Sequence, residues 1–167
     1  MGARDEAALQ RATDLGIAFQ LTNISRDVRE DALIGRVYLP EDWLAAAGIP
    51  PQELSNPEYS AALIKVVERL LNEADRYYAS ADQGLRALGF RSAWAVASAR
   101  GVYKAIGDKV RQRGVSALDE RVVVRKRRKL LGIAEGMIDA LKASWFDNKT
   151  QPAPRDSDLW TAPPAVH

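Results

Sequence analysis

Apolar residues recur along most of this chain with the spacing of an α-helix, and no stretch alternates as a strand does. Helices are predicted over residues 5–33, 40–47, 57–88 and 92–113, and from Leu118 or Arg121 to Trp145. Glycines follow the predicted ends at positions 35, 48, 89 and 114, where they are typical helix terminators. The short helix over 40–47 is expected to carry Pro40 at its first position. The pattern therefore predicts an all-α protein.

The amino-acid composition limits the kinds of chemistry that the chain can perform. The chain of 167 residues is 47% hydrophobic and 28% charged, with a net charge of +2, which is typical of one soluble domain. It has no Cys and a single His, His167, which excludes thiol chemistry, disulfides and Cys/His zinc sites. A metal would need oxygen ligands, which favours Mg²⁺ or Mn²⁺. The charged N-terminus and the lack of a long apolar run predict a cytoplasmic protein.

A stripe of polar side chains marks the first predicted helix. Its members are Gln20, Asn23, Asp27 and Asp31. At about 100° per residue they share one face over about 16 Å. Two Asp residues four positions apart repel each other, and in a protein interior they need a cation to stay charged. The stripe therefore predicts a site for a hard metal ion, with a solvated face as the alternative.

Two further segments carry candidate ligand-binding groups. Arg36 and Tyr38 follow the acidic end of the first helix, where an Arg beside metal-bound carboxylates suits a diphosphate. In the helix over 92–113, small residues recur every fourth position and Tyr103 lies beside them. These small residues are Ala93, Ala97, Gly101 and Ala105. Such a face indicates tight helix packing or the wall of a tunnel for an apolar ligand.

The run from Arg121 to Lys129 holds six basic residues. It indicates a solvated helix start or contact with phosphate or anionic lipid headgroups. Nucleic-acid binding is not expected, because no aromatic residues are interleaved.

Together these segments resemble the squalene and phytoene synthase family of head-to-head prenyltransferases. The matching motifs are Gln20-x-x-Asn23-x-x-Arg26-Asp27-x-x-Glu30-Asp31, Gly35-Arg36-x-Tyr38-Leu39-Pro40, Val102-Tyr103-x-x-Ile106 and Glu120-Arg121-Val122-x-Val124-x-Lys126. The bacterial phytoene synthase branch fits best, through Ala18-Phe19-Gln20-Leu21-Thr22-Asn23 and Arg91-Ser92-Ala93-Trp94-Ala95.

The resemblance implies an isoprenoid-synthase-type helical bundle, of which residues 3–146 would form the C-terminal half, followed by a disordered tail over 147–167. The family has two aspartate-rich motifs on facing helices. Residues 20–31 resemble the second, and no second Asp-x-x-x-Asp helix is found in the chain. We therefore expect a truncated chain that is inactive by itself, and exposed apolar faces that favour self-association.

The resemblance also implies a reaction, in which two geranylgeranyl diphosphates join head-to-head through a cyclopropyl diphosphate to give phytoene, a carotenoid precursor. Mg²⁺ or Mn²⁺ would be required and NADPH would not. By this resemblance Asn23, Asp27 and Asp31 would bind metal, whereas Gln20, Arg26, Arg36 and Arg121 would bind diphosphate. Tyr103 and Arg26 would act at the reacting centre, and Glu30 would pair with Arg26.

Two alternatives remain open at this stage. The chain could be a fragment of a squalene- or dehydrosqualene-type synthase, or a non-catalytic α-helical module that binds an anionic membrane surface through the basic run. Peripheral contact with the inner face of the membrane is compatible with the enzyme hypothesis too, because substrate and product would be lipids.

Overall fold

The computed structural model describes residues 6–120, 122–123, 132, 134–141 and 153–161. Its α-helices are α1 (Glu6–Leu33), α2 (Glu41–Ala46), α3 (Ser60–Gly84), α4 (Phe90–Arg113) and α5 (Ser116–Asp119). Single 3₁₀ turns occupy Pro51–Glu53, Pro57–Tyr59 and Leu85–Ala87, and residues 134–141 are helical. No strand occurs in these ranges, which confirms the all-α prediction.

Helix α1 ends as the sequence predicts. Gly35 adopts φ +74°, a left-handed conformation that a residue without a side chain reaches at little cost. Its amide donates to the Ala32 carbonyl at 3.0 Å, and the Arg36 amide donates to the Asp31 carbonyl at 2.9 Å. These bonds satisfy carbonyls at the helix end and turn the chain sharply. Arg36 is thereby held at the same end of α1 as Asp31.

The boundaries of α2 and α3 differ from the prediction in detail. Pro40 precedes α2 in an extended conformation with ψ 131°, and its carbonyl accepts from the Leu44 amide at 3.1 Å, so it caps the helix rather than starting it. Helix α3 is shorter than predicted, because the turn at Pro57 and the turn at Leu85 are 3₁₀ rather than α-helical. Gly89 is the N-cap of α4 and does not end α3.

The predicted start of the last helix is wrong. α5 stops after four residues, and Glu120 is extended at φ −131° and ψ 127°. Residues 122–123 are not helical either, so neither Leu118 nor Arg121 begins the helix that contains residues 134–141. The predicted end at Trp145 lies outside the described residues.

Helix α3 supplies the core and packs chiefly against α1. Its predicted apolar face is buried throughout: Leu63, Val66, Val67, Leu70, Leu71 and Ala74. The two helices approach so closely that a Cβ on Gly84 would lie 2.6 Å from the Cβ of Arg11. Helices α4 and α5 also contact α1. None of the described helices is both long and apolar enough to cross a membrane.

Residues 153–161 lie against α1 and α3, a contact that the sequence does not predict. Arg155 binds the carboxylate of Asp14 through Nε to Oδ2 at 2.9 Å and Nη2 to Oδ1 at 2.7 Å. Leu159 is 3% exposed, and the Trp160 amide donates to the hydroxyl of Tyr77 at 3.1 Å. We refer to residues 153–161 as the C-terminal segment. These nine residues belong to the region 147–167 for which the sequence predicts disorder.

Tyr78 lies on the buried side of α3, where it is 1% exposed. Its hydroxyl and that of Thr22 on α1 are hydrogen-bonded at 2.9 Å. Burial raises the pKa of Tyr78 to about 12, against the smaller opposite effect of the Thr22 hydrogen bond. The folded protein therefore holds this phenol in its neutral form at a pH where the unfolded chain has begun to ionise it.

We expect this burial to make the protein less stable at high pH. The contribution of Tyr78 is complete below pH 10 and is lost as the pH rises toward 12, because the unfolded state then releases the proton first. The shift of about two pH units corresponds to about 2–3 kcal/mol in the free energy of unfolding. Urea titrations between pH 8 and 12 measure it. The loss should be absent from Tyr78→Phe, and an equal loss in both proteins would contradict the assignment.

Candidate functional site

The predicted stripe and the buried face lie on opposite sides of α1. The buried residues are Asp14, Ala18, Thr22, Ser25 and Val28. At about 100° per residue, the stripe from Gln20 to Asp31 lies roughly opposite Ala18. The stripe thus forms one continuous edge of the helix, as predicted.

The environment of this edge differs from the sequence-based expectation of a protein interior. Gln20 is exposed, and Asn23, Asp27 and Asp31 are half-buried. A Cβ on Gly16, which lies on the same face, would meet no atom within 4 Å. The reason is topological, since α1 packs chiefly against α3 and its buried face lies opposite the stripe. Within the part of the chain that the structure describes, the edge is open.

Asp27 is held by a guanidinium from its own helix. Arg26 donates from Nε to Oδ1 of Asp27 at 2.7 Å and from Nη2 to Oδ2 at 2.5 Å. The two side chains are 18% and 17% exposed. The hydrogen bond to Asp27 raises the pKa of Arg26, and the charges of Tyr103 and Glu30 add smaller effects of the same sign. A positive charge therefore already neutralises the carboxylate at the centre of the stripe.

Tyr103 of α4 is brought to the border of this site by an aromatic contact. Its ring stacks on Phe19 of α1, with centroids 4.2 Å apart and planes inclined by 25°. Phe19 also contacts the ring of Tyr78 at 6.1 Å. Stacking of this kind orients a ring in addition to burying it. Phe19 therefore places the Tyr103 phenol on the side of α1 that carries Arg26.

Arg36 and Tyr38 lie beyond the acidic end of the helix, as the sequence predicts. Both are exposed, and Tyr38 retains 50% of its accessible surface. Leu33 and Ile34, which precede them, are 72% and 66% exposed. The polar edge of α1 thus continues into an exposed apolar surface at residues 33–38, compatible with the predicted exposed apolar faces.

The small residues of α4 are buried or lie close to neighbouring backbone. Ala93, Ala97 and Ala105 are buried, and a Cβ on Gly101 would lie 3.4 Å from Cα of Gly132. At Gly101 the packing interpretation is therefore confirmed. A pocket of about 110 Å³ between α1, α3 and α4 is lined mainly by apolar residues that include Leu15 and Val96. A cavity of about 150 Å³ holds one benzene ring, so this space is too small for a whole C₂₀ chain.

Part of the predicted site cannot be placed. Arg121, predicted to bind diphosphate, lies outside the described residues, as do residues 124–129 of the basic run. The membrane-binding alternative depends on that run and stays a prediction.

Sequence reasoning missed two supporting groups, Phe19 and Asp14. Phe19 orients Tyr103, and Asp14 is fully buried and accepts from the Ser80 hydroxyl at 2.5 Å in addition to Arg155. A signal for Asp14 was present, because it lies four and eight residues before Ala18 and Thr22 and so shares their buried face. For Phe19 there was none, because its partner is 84 positions away in sequence.

The donor atoms of the stripe suit a hard cation. The amide oxygen of Asn23 and the carboxylates of Asp27 and Asp31 are oxygen donors at successive turns, the type of ligand that Mg²⁺ prefers. A cationic group already lies on Asp27. No group of three or more His, Cys, Asp or Glu side chains that could hold a metal ion occurs in the described ranges. Two carboxylates and one amide oxygen could supply only part of the coordination shell of such a cation.

The fold and the site together define a class of protein: an all-α protein with a row of oxygen-bearing side chains along one long helix. Comparison with protein families places the chain within it, because the model of the squalene/phytoene synthase family matches residues 1–128. The chain belongs to the squalene/phytoene synthase family, as the motifs predicted.

Curated relatives agree with this assignment. The chain is 47% identical over 165 residues to a phytoene synthase of Pseudescherichia vulneris, covering 98% of this chain and 52% of that protein. It is 45% identical over 163 residues to a 15-cis-phytoene synthase of Enterobacter agglomerans, covering 98% of this chain and 54% of that protein. A 15-cis-phytoene synthase of a Paracoccus strain is 50% identical over 135 residues, covering 80% of this chain and 43% of that protein. The chain spans about half the length of the relatives it matches, and no solved structure matches it significantly.

Proposed function

We propose that this chain supplies the second aspartate-rich face of a phytoene synthase, which joins two geranylgeranyl diphosphates head-to-head through a cyclopropyl diphosphate. The observation that carries the proposal is that one region of α1 carries both the bidentate Arg26–Asp27 pair and, two turns earlier, Phe19, which stacks on Tyr103. Membership of the family and the names of the relatives support the same reaction.

In this proposal the edge binds the leaving group of the substrate. Asn23, Asp27 and Asp31 would hold Mg²⁺ or Mn²⁺. When bound, the cation would neutralise diphosphate and help it to depart. Arg26 and Arg36 add guanidinium groups that bind phosphate oxygens in pairs. Gln20 would line the same wall, where its amide can donate to a phosphate oxygen.

The aromatic residues of the site would surround the prenyl group of the substrate. Phe19 and Tyr103 present ring faces that exclude water from an allylic cation, which would otherwise be quenched. The Tyr103 hydroxyl would contact diphosphate or the reacting carbon. These roles need a further surface facing α1, because the edge is open in the described part of the chain. We propose that this surface carries the first aspartate-rich motif in the complete enzyme.

The binding step can be tested without turnover. At 100 times its dissociation constant, a non-hydrolysable geranylgeranyl thiodiphosphate with Mg²⁺ should slow hydrogen exchange in the Asp27 turn of α1 by up to about 100-fold. The measurement is exchange followed by mass spectrometry on peptides of α1 and α3. Protection should vanish in Asp27→Ala, because the cation then loses its central ligand.

A matched variant separates this effect from general loss of charge. Glu68→Ala removes an exposed carboxylate from α3 and should leave the protection intact. If Asp27→Ala and the unaltered chain exchanged identically in the presence of ligand, the site assignment would be wrong.

A further inference from the structure

The Arg26–Asp27 pair occupies the position at which the proposed cation would bind. Both carboxylate oxygens of Asp27 accept from one guanidinium, at 2.7 and 2.5 Å. A divalent ion such as Mg²⁺ needs a carboxylate oxygen at about 2.0–2.1 Å and repels a neighbouring positive charge. The bidentate pair and a bound cation therefore compete for the same two carboxylate oxygens.

The surroundings of Arg26 allow it to change partner. The residue is adjacent to Asp27 in sequence, so its long side chain can leave the carboxylate by rotating its own bonds while α1 stays in place. It remains only 18% exposed, on the side of α1 where Tyr103 lies. A guanidinium released there would stand beside the bound cation. That is where a diphosphate bridging cation and protein would need it.

We propose that Arg26 is an exchangeable counterion: it neutralises Asp27 in the cation-free protein and transfers to diphosphate when a divalent cation takes the carboxylate. The inference rests on the proposed function and adds an order of events to it. Cation binding alone is opposed, because the ion pair must first be broken. Cation and diphosphate together are favoured, because the displaced guanidinium gains a new anionic partner.

The exchange makes a quantitative prediction about coupling. If two ligands share one exchangeable group, each raises the affinity of the other by the same factor, commonly about 5- to 150-fold. Removing the charge of Arg26 should strengthen binding of the cation by itself and weaken its coupling to diphosphate. A residue that merely binds diphosphate would change only the second quantity.

The test measures Mn²⁺ binding to the purified 167-residue chain by electron paramagnetic resonance, with and without inorganic diphosphate. In Arg26→Gln we expect Mn²⁺ alone to bind roughly fivefold more tightly and the enhancement by diphosphate to fall by a similar factor. Arg26→Lys keeps the charge but loses the bidentate contact, so its Mn²⁺ affinity should lie between the two.

Arg29→Gln is the matched control. It removes the same charge from the same helix, but Arg29 is bound to Asp119 at 2.6 Å and to Ser60 at 2.7 Å, away from the stripe. The Arg29 charge is paired with Asp119 and, by the helical repeat, lies on the opposite side of α1 from Asp27. Mn²⁺ affinity should therefore stay close to that of the unaltered chain.

The outcomes separate the exchange from the site itself. Equal or weaker Mn²⁺ binding by Arg26→Gln, with binding by the unaltered chain intact, would overturn the exchange and leave the proposed function standing. Equal Mn²⁺ affinities in the unaltered chain and in Asp27→Asn would show that the cation does not use this carboxylate. That result would overturn the proposed site together with the exchange.

Discussion

Arg155→Ala is expected to lower the free energy of unfolding by about 3 kcal/mol, the lower end of the range for breaking a buried ion pair. Arg155 makes two hydrogen bonds to Asp14, which is fully buried, and further bonds to the carbonyls of Leu159 and Trp160. Its loss would leave a carboxylate without its cation between α1 and α3. Chemical denaturation monitored by circular dichroism measures the change.

Two variants identify the source of this loss. Combining Arg155→Ala with Asp14→Asn should recover part of the stability, because the buried charge is removed together with its partner. Arg76→Ala is the control within the same contact. It breaks the ion pair between Arg76 and Asp156, which is weak because both side chains are exposed to water. The free energy of unfolding should therefore change little. A fall in Arg76→Ala as large as that in Arg155→Ala would refute the special role of Asp14.

Asp27→Ala is expected to reduce phytoene formation roughly 10²–10³-fold in a complete enzyme, the loss typical of removing one preorganised electrostatic group. A suitable enzyme is a chimera in which this chain replaces the aligned 52% of the Pseudescherichia vulneris phytoene synthase. Product formed from geranylgeranyl diphosphate is quantified by chromatography. The effect should be on turnover, because the carboxylate would position the cation that assists departure of diphosphate.

Two comparisons make this result interpretable. Glu68→Ala in the same chimera should remain active, since that carboxylate is on an exposed face of α3. The 167-residue chain by itself should give no phytoene, because one side of the proposed metal site is open. Phytoene from the pure chain, or full activity of the Asp27→Ala chimera, would contradict the proposed division of the site. A C₃₀ product from farnesyl diphosphate, with no phytoene from geranylgeranyl diphosphate, would instead favour the squalene-type alternative.

Much of the helical architecture was predictable because local signals dominate it. The helical period, Gly35 and Gly114 placed the bounds of α1 and the end of α4 close to where they lie. Errors occurred where short turns compete with helix, as at Pro57 and Leu85, since 3₁₀ and α-helical turns differ by one hydrogen-bond partner. The start of the last helix was predicted wrongly because Glu120 is extended although it is not a residue that typically ends a helix.

The site was predictable only along one helix. Gln20, Asn23, Asp27 and Asp31 share an edge because the helical repeat is regular, so their spacing determines their alignment. Which side of α1 is covered depends on α3 and α4, whose packing is a property of the whole fold. For the same reason the sequence could not reveal that Phe19 orients Tyr103. That Arg26 binds Asp27 depends on its side-chain rotamer, which residue spacing does not determine.

The amino-acid sequence by itself determined the helices, the oxygen-donor edge of α1 and membership of the family, because each depends on residues that are close in sequence or on an ordered set of motifs. Only the tertiary structure decided that this edge is open, that Asp27 already has a cationic partner and that Arg155 reaches the buried Asp14. The open edge and the Arg155 contact depend on residues as far apart as 141 positions. The Arg26–Asp27 pair depends on a side-chain conformation, and no local pattern in the chain encodes either.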